Sequence, residues 1–207
     1  MKVQAAGLEG ELNVPAAATG VVIFAHGSGS SRHSPRNRYV ANFLNHGGLA
    51  TLLIDLLNAD EQAADLETTQ LRFDIPFLAG RLVAITQWLR QQPQVTGLKT
   101  GYFGASTGAG AALVAAAELP LLIHAVVSRG GRPDLAAEAL ERVEAPTLAI
   151  VGGNDPVVLE LNRQALARMH CVKHLQVIPG ASHLFEEPGA LAEVATLARA
   201  WFAEKLR

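Results

Sequence analysis

Short apolar runs recur along the chain, each closed by glycine, proline or small polar residues and followed by a stretch with helical spacing. Gly20 to Ala25 (Gly-Val-Val-Ile-Phe-Ala) has no polar side chain on either face, so it predicts a strand covered on both sides. Ala50 to Leu57, Lys99 to Phe103, His124 to Ser128, Thr147 to Val151 and Lys173 to Ile178 predict further strands. Between them, Ser34-Pro35 supplies a cap and a first-turn proline for a helix to about Asn45, which Gly47-Gly48 ends. Further helices are predicted from about Phe73 to Gln91, stopped by Pro93, and over Gly110 to Leu119, Asp134 to Arg142, 157–169 and 188–206. Leu8, Leu12 and Val14 mark edge strands within residues 2–14, closed by Pro15, and the polar stretch Asn58 to Thr69 predicts a loop. Strand and helix thus alternate almost throughout. That order predicts an α/β fold with right-handed crossovers and a doubly wound, mostly parallel sheet. With no repeat, linker or insertion long enough for a cap, residues 1–207 are expected to form a single domain.

Composition narrows the partners. The 207 residues are 49% hydrophobic and 17% charged, which suits a sheet buried on both faces. A formal net charge of −2 argues against a nucleic-acid groove or an anionic membrane surface. The longest charge-free stretch, Thr100 to Ala117, is interrupted by glycine, serine and threonine and reads as strand plus helix, not as a membrane span. No apolar segment of signal-peptide length precedes Glu9, and the single cysteine, Cys171, cannot form an internal disulfide. Both features predict a cytoplasmic protein. No H-E-x-x-H, paired C-x-x-C or G-x-x-x-x-G-K-[ST] occurs, so neither a metal nor a cofactor is expected.

The chemistry centres on Gly104-Ala-Ser106-Thr-Gly108, a G-x-S-x-G turn between a predicted strand and helix. Such a turn forces the serine into strained dihedrals, needs small residues two before and two after, and aims helix N–H groups at the hydroxyl. Ligands of parallel sheets gather at the carboxyl ends of the strands. Besides Ser106, those ends carry His26-Gly-Ser28-Gly29, Gly152-Gly-Asn-Asp155 and Gly180-Ala-Ser-His183. Ser106, Asp155 and His183 therefore share one edge, in the chain order of α/β-hydrolase triads. In that reading Ser106 is the nucleophile, His183 its base and Asp155 the residue that orients the imidazole. Asp155 also suits an N-cap before Pro156, and Asp134 is a rival acid. The oxyanion donors are expected to be the backbone N–H groups of Thr107 and of Ser28, with Gly29 the other choice in that loop. His26 reads as a brace. Arg32 and Arg129 follow strand ends at the rim, where each is placed either to bind a substrate carboxylate or to pin a loop by an ion pair, with Asp74 or Asp134 as partners.

These four motifs, with Ser-Pro-Arg-Asn at 34–37 beside the first of them, resemble the small, capless dienelactone-hydrolase-like branch of the α/β-hydrolases. The resemblance spans residues 20–185. It implies a cofactor-free hydrolase acting on a small-molecule ester, as a monomer or homodimer. One departure bears on specificity, since dienelactone hydrolase proper carries cysteine where this chain has Ser106. The serine points to hydrolysis of small or short-chain carboxylic esters through an acyl-serine intermediate. The same residues also serve acyl transfer, thioester hydrolysis or C–C cleavage, and a ligand- or partner-binding module on the fold is the alternative from another class.

Overall fold

The computed structural model describes residues 1–5 and 7–207, with Lys2 and Val3 described by backbone alone. Ala6, inside the predicted edge-strand region, lies outside the described residues. Among the described residues, eight strands form one sheet: β1 (Lys2–Ala5), β2 (Leu8–Asn13), β3 (Gly20–Ala25), β4 (Ala50–Ile54), β5 (Lys99–Ala105), β6 (Ile123–Arg129), β7 (Thr147–Gly152) and β8 (Lys173–Ile178). Their spatial order is β1-β2-β4-β3-β5-β6-β7-β8. The first two strands pair antiparallel, β2 with β1 and β4, and every other pairing is parallel. This is the mostly parallel sheet expected from the alternation of elements, in the α/β-hydrolase arrangement that the resemblance implied.

Alternation of side chains splits the core into two layers. Val21, Ile23 and Tyr102 face one layer, closed by α3 (Ile75–Leu89), α4 (Thr107–Glu118) and α5 (Pro156–Arg168). Val22, Phe24, Phe103 and Val127 face the other, closed by α1 (Pro35–His46) and α6 (Ala190–Lys205). Fully burying a Leu, Ile, Val or Phe stabilises by about 1.5–3 kcal/mol, so these strands are anchored along their whole length. Ser34 caps α1 by accepting from Asn37 N–H, as the Ser-Pro pair predicts. No helix among the described residues is long and apolar enough to cross a membrane.

Two expectations are corrected. Asn58 to Thr69 is not a loop: α2 (Ala59–Thr68) occupies it, behind a capping box in which Asn58 and Glu61 satisfy each other's backbone N–H. Its only buried residue is Asp65, so there is no apolar stripe to read. Ion pairs hold it instead, Asp65 with Arg72 at 2.5 Å and Glu61 with Arg81. The second correction concerns Asp134 to Arg142, which is a 3-10 helix (Pro133–Arg142) broken at Ala137, where φ is 46°. Smaller differences concern bounds: β4 ends at Ile54 and α4 begins directly at Thr107.

Candidate active site

The site is built on the β5–α4 turn. Ser106 stands between strand and helix with φ 50° and ψ −123°, a left-handed conformation that side chains seldom adopt. Neighbouring glycines make it attainable. A Cβ on Gly104 would strike the Ala109 backbone, and one on Gly108 would strike the carbonyl oxygens of Ala25 and His26. The turn is also pinned to the next strand: Ser106 N–H donates to Arg129 O (3.2 Å) and Arg132 N–H to Ser106 O (3.0 Å). α4 has no side-chain cap at Ser106; Ala109 N–H donates to Ser106 O (3.0 Å), whereas the N–H groups of Thr107 and Gly108 have no acceptor among the described residues and remain free to meet a negative charge.

The acid–base arm comes from the ends of β7 and β8, which pair in register to Gly152 and Ile178. Asn154 fastens the two loops, its N–H to Ala181 O and its side-chain amide to Gly180 O, both at 2.9 Å. Across this junction Asp155 Oδ2 lies 2.6 Å from His183 Nδ1. The other oxygen, Oδ1, accepts from Val158 N–H at 3.4 Å and caps α5. Asp155 therefore fills both of the roles open to it from sequence, one with each oxygen. Asp134, the rival acid, is taken by Arg132, with contacts of 2.9 and 2.8 Å. Ser106 Oγ forms no hydrogen bond with His183 in this structure; such bonds are often long in unliganded sites and tighten with substrate.

The loop after β3, which carries Ser28, lies against the turn: a Cβ built on Gly27 would stand 3.1 Å from Ser106 Cβ. Ser28 N–H donates to Thr107 Oγ1 at 2.8 Å, which brings together the two residues predicted to flank the oxyanion. The same contact occupies the Ser28 N–H. Gly29 follows with φ 68° in the turn closed by Ser30 N–H to Gly27 O. His26 braces this loop as predicted: its Nε2 accepts from Leu56 N–H (3.1 Å) while Nδ1 donates to Gly27 O (3.0 Å). Burial lowers the His26 pKa, against the opposing effects of the Gly27 hydrogen bond and the Asp55 charge, and the imidazole stays neutral.

Beside this loop opens a cavity of about 110 Å³. Leu56, Leu57, Leu66 and Leu78 line it together with Gln62 and Thr107, so α2 forms part of its wall. Sequence reasoning missed Gln62 and Leu66 as lining residues because it missed the helix. The signal was the Asn58-x-x-Glu61 capping box. The rim arginines separate. Arg32 is consumed by ion pairs with Asp55 and with Glu9 (2.5 Å), not with Asp74, which caps α3 at Phe77 N–H. Its substrate-binding role is therefore replaced by a structural one. Arg129 is neither solvated nor paired with Asp134. It is buried.

Comparison with known proteins agrees with this fold. The dienelactone hydrolase from Anabaena variabilis is 60% identical, covers all of this chain and 97% of its own, and superposes with a TM-score of 0.97. Est1E from Butyrivibrio proteoclasticus shares the fold at 17% identity, with a TM-score of 0.80 over 99% of this chain and 98% of its own. Two Mycobacterium tuberculosis proteins, from strains CDC 1551 and H37Rv, are 58% identical over 197 residues, or 95% of this chain. Both are named phosphoribosyl transferases, and the chain spans only 44% of the length of either. The dienelactone hydrolase family itself matches over residues 8–205. A sheet that carries Ser106 on a tight strand-to-helix turn and a carboxylate-held His183 at the same edge is thus built by a chain that belongs to the dienelactone hydrolase family.

Proposed function

We propose that the protein hydrolyses small carboxylic esters through an acyl-Ser106 intermediate. The observation that carries this reading is the 2.6 Å Asp155–His183 contact standing on the same sheet edge as the strained Ser106 turn. Ser106 Oγ attacks the acyl carbon as His183 Nε2 takes its proton, and Asp155 stabilises the imidazolium. The alkoxide that develops on the substrate is met by Thr107 N–H at the start of α4 and by Ser28 N–H, which exchanges the Thr107 hydroxyl for the oxyanion. His183 then returns the proton to the leaving alcohol, and water, activated by the same imidazole, releases the acid. The cavity walled by α2 is small, about 110 Å³, which favours short acyl or alcohol groups.

The phosphoribosyl transferase name belongs to proteins more than twice as long as this chain, and none of the side chains gathered at this site favours that chemistry over acyl transfer. The test is turnover of 4-nitrophenyl acetate through octanoate by wild type and Ser106→Ala, with intact mass after a fluorophosphonate probe. Wild type should turn over and gain one label, whereas Ser106→Ala should lose both, with kcat down by about 10⁴-fold or more. Retention of turnover in Ser106→Ala rejects the acyl-serine mechanism.

A further inference from the structure

Asparagine is poorly suited to the interior of a helix, where its amide competes with the backbone, and costly in the interior of a protein, where that amide must find partners without water. Asn162 is in both places: it lies midway along α5 with none of its surface exposed. Its side-chain NH2 uses both donors. One goes to Val158 O, a turn back on the same helix, at 2.8 Å, and the other to Gly131 O, in the loop after β6, at 2.9 Å. The Oδ1 of the same amide is buried and has no partner among the described residues. A helix position filled for stability alone favours alanine or leucine. What the amide supplies, and an apolar side chain cannot, is a donor that crosses from α5 to the loop.

Both ends of that crossing belong to the candidate site. About two turns before Asn162 stands the N-cap of the same helix, Asp155, whose Oδ1 accepts from Val158 N–H while Val158 O accepts from Asn162. The other end is nearer the reacting atoms. Arg129 O accepts from Ser106 N–H and Arg132 N–H donates to Ser106 O, so Gly130 and Gly131 lie between the two residues that pin the nucleophile. A Cβ built on Gly130 would stand 3.1 Å from His183 O and 3.5 Å from its Cε1. One built on Gly131 would overlap Ser128 Oγ and come within 2.6 Å of the Cβ of Ala109, in the first turn of α4. The loop is thus wedged between the nucleophile's helix and the base, and Asn162 ties it to the helix that carries the acid. We propose that Asn162 is a positioning residue for the reaction at Ser106: its amide fixes the Gly130–Gly131 segment against α5 and so keeps the Ser106 hydroxyl in register with the imidazole that Asp155 holds. This rests on the esterase reading above. Misplacing a reacting group by about 1 Å can cost about a hundredfold in rate, so the bond acts on turnover more than on binding.

Three variants of the full chain separate positioning from support. Asn162→Leu keeps the volume and loses both bonds. Asn162→Ser keeps a hydroxyl that returns to Val158 O but is too short to reach Gly131 O. Asn162→Asp keeps the shape and sets an acceptor where Gly131 O needs a donor. For each, kcat and KM for 4-nitrophenyl acetate are measured below the Tm of every variant and referred to the amount of serine that a fluorophosphonate labels to completion, so that unfolded protein does not count. The rate of labelling is the second readout. We expect kcat per labelled serine to fall about tenfold to a hundredfold in all three, most in Asn162→Asp, with KM within about twofold of wild type and the labelling rate falling alongside kcat. Unchanged kcat per labelled serine in Asn162→Leu, even with a lowered Tm, overturns the proposal and leaves the residue a structural one. Wild-type kcat in Asn162→Ser overturns it too, because the bond within the helix would then suffice, and this variant decides if Asn162→Leu does not fold. If wild type labels but turns over no ester, the labelling rates decide by the same criterion. If wild type neither labels nor turns over, the esterase reading fails and the proposal falls with it, whereas an active wild type with unimpaired variants sinks the positioning role alone.

Discussion

Ser106 and Ala137 hold nearly the same disallowed backbone, φ 50° and ψ −123° against φ 46° and ψ −121°. Each costs on the order of 1–3 kcal/mol that the surroundings must offset. Around Ser106 they do so with two glycines whose space the backbone fills, two hydrogen bonds to the neighbouring strand and loop, and a helix start where Ala109 N–H returns to Ser106 O while those of Thr107 and Gly108 stay unpaired. Ala137 is exposed and merely interrupts a 3-10 helix that packs on α4 and α5. The same dihedral is thus part of a reaction centre in one place and a bend in the other. Strain becomes functional only where donors and a held imidazole converge on it.

The sharpest way to break this comparison is at the imidazole. Asp155→Asn keeps a side-chain oxygen for the α5 cap but leaves His183 without its carboxylate, so kcat should drop by about 10⁴-fold while Tm barely moves. A large fall in Tm with proportionate loss of activity would show that Asp155 acts through the cap alone. Next in size is Gly108→Ala. The new methyl meets the carbonyl oxygens of Ala25 and His26, which belong to the central strand and its loop and cannot retreat. We expect a loss of about 3 kcal/mol in urea unfolding, with activity reduced beyond what the folded fraction explains. Unaltered stability would mean that the elbow is looser than its contacts indicate. The smallest effect separates the two strained positions directly: Ala137→Gly and Ser106→Gly should each stabilise by about 1 kcal/mol by relieving positive φ, less the entropy that glycine adds to the unfolded chain. Only the Ser106 variant should lose turnover. A destabilised Ala137→Gly would show that the bend is held by contacts of the methyl group.

Much of the fold was legible because buried parallel strands leave an unmistakable trace. Gly20 to Ala25 and Lys173 to Ile178 match β3 and β8 residue for residue. α2 was illegible by the same criterion, since a helix that buries only Asp65 has no apolar period, and its capping box was the remaining sign. In the site, Ser106, Asp155 and His183 could be placed on one edge because parallel strands must all end on the same side. Asn154, which holds the two loops together, and Thr107, whose hydroxyl engages Ser28, could not be assigned those contacts from their positions alone. The two arginines mark the limit most clearly. Both follow strand ends, yet Arg32 meets two carboxylates and Arg129 meets none.

By itself, the sequence determined the order of elements, the two-sided burial of the sheet and the tight serine turn, because each depends on local periodicity or on the size of residues two positions away. The tertiary structure alone decided which carboxylate faces His183, that a helix walls the cavity, and that Arg129 is buried while Arg32 meets two carboxylates. Those outcomes depend on which strand ends become neighbours and which charges meet across them. Pairing across a folded sheet costs or releases free energy only once distant segments share a low-dielectric interior, and no local pattern encodes that.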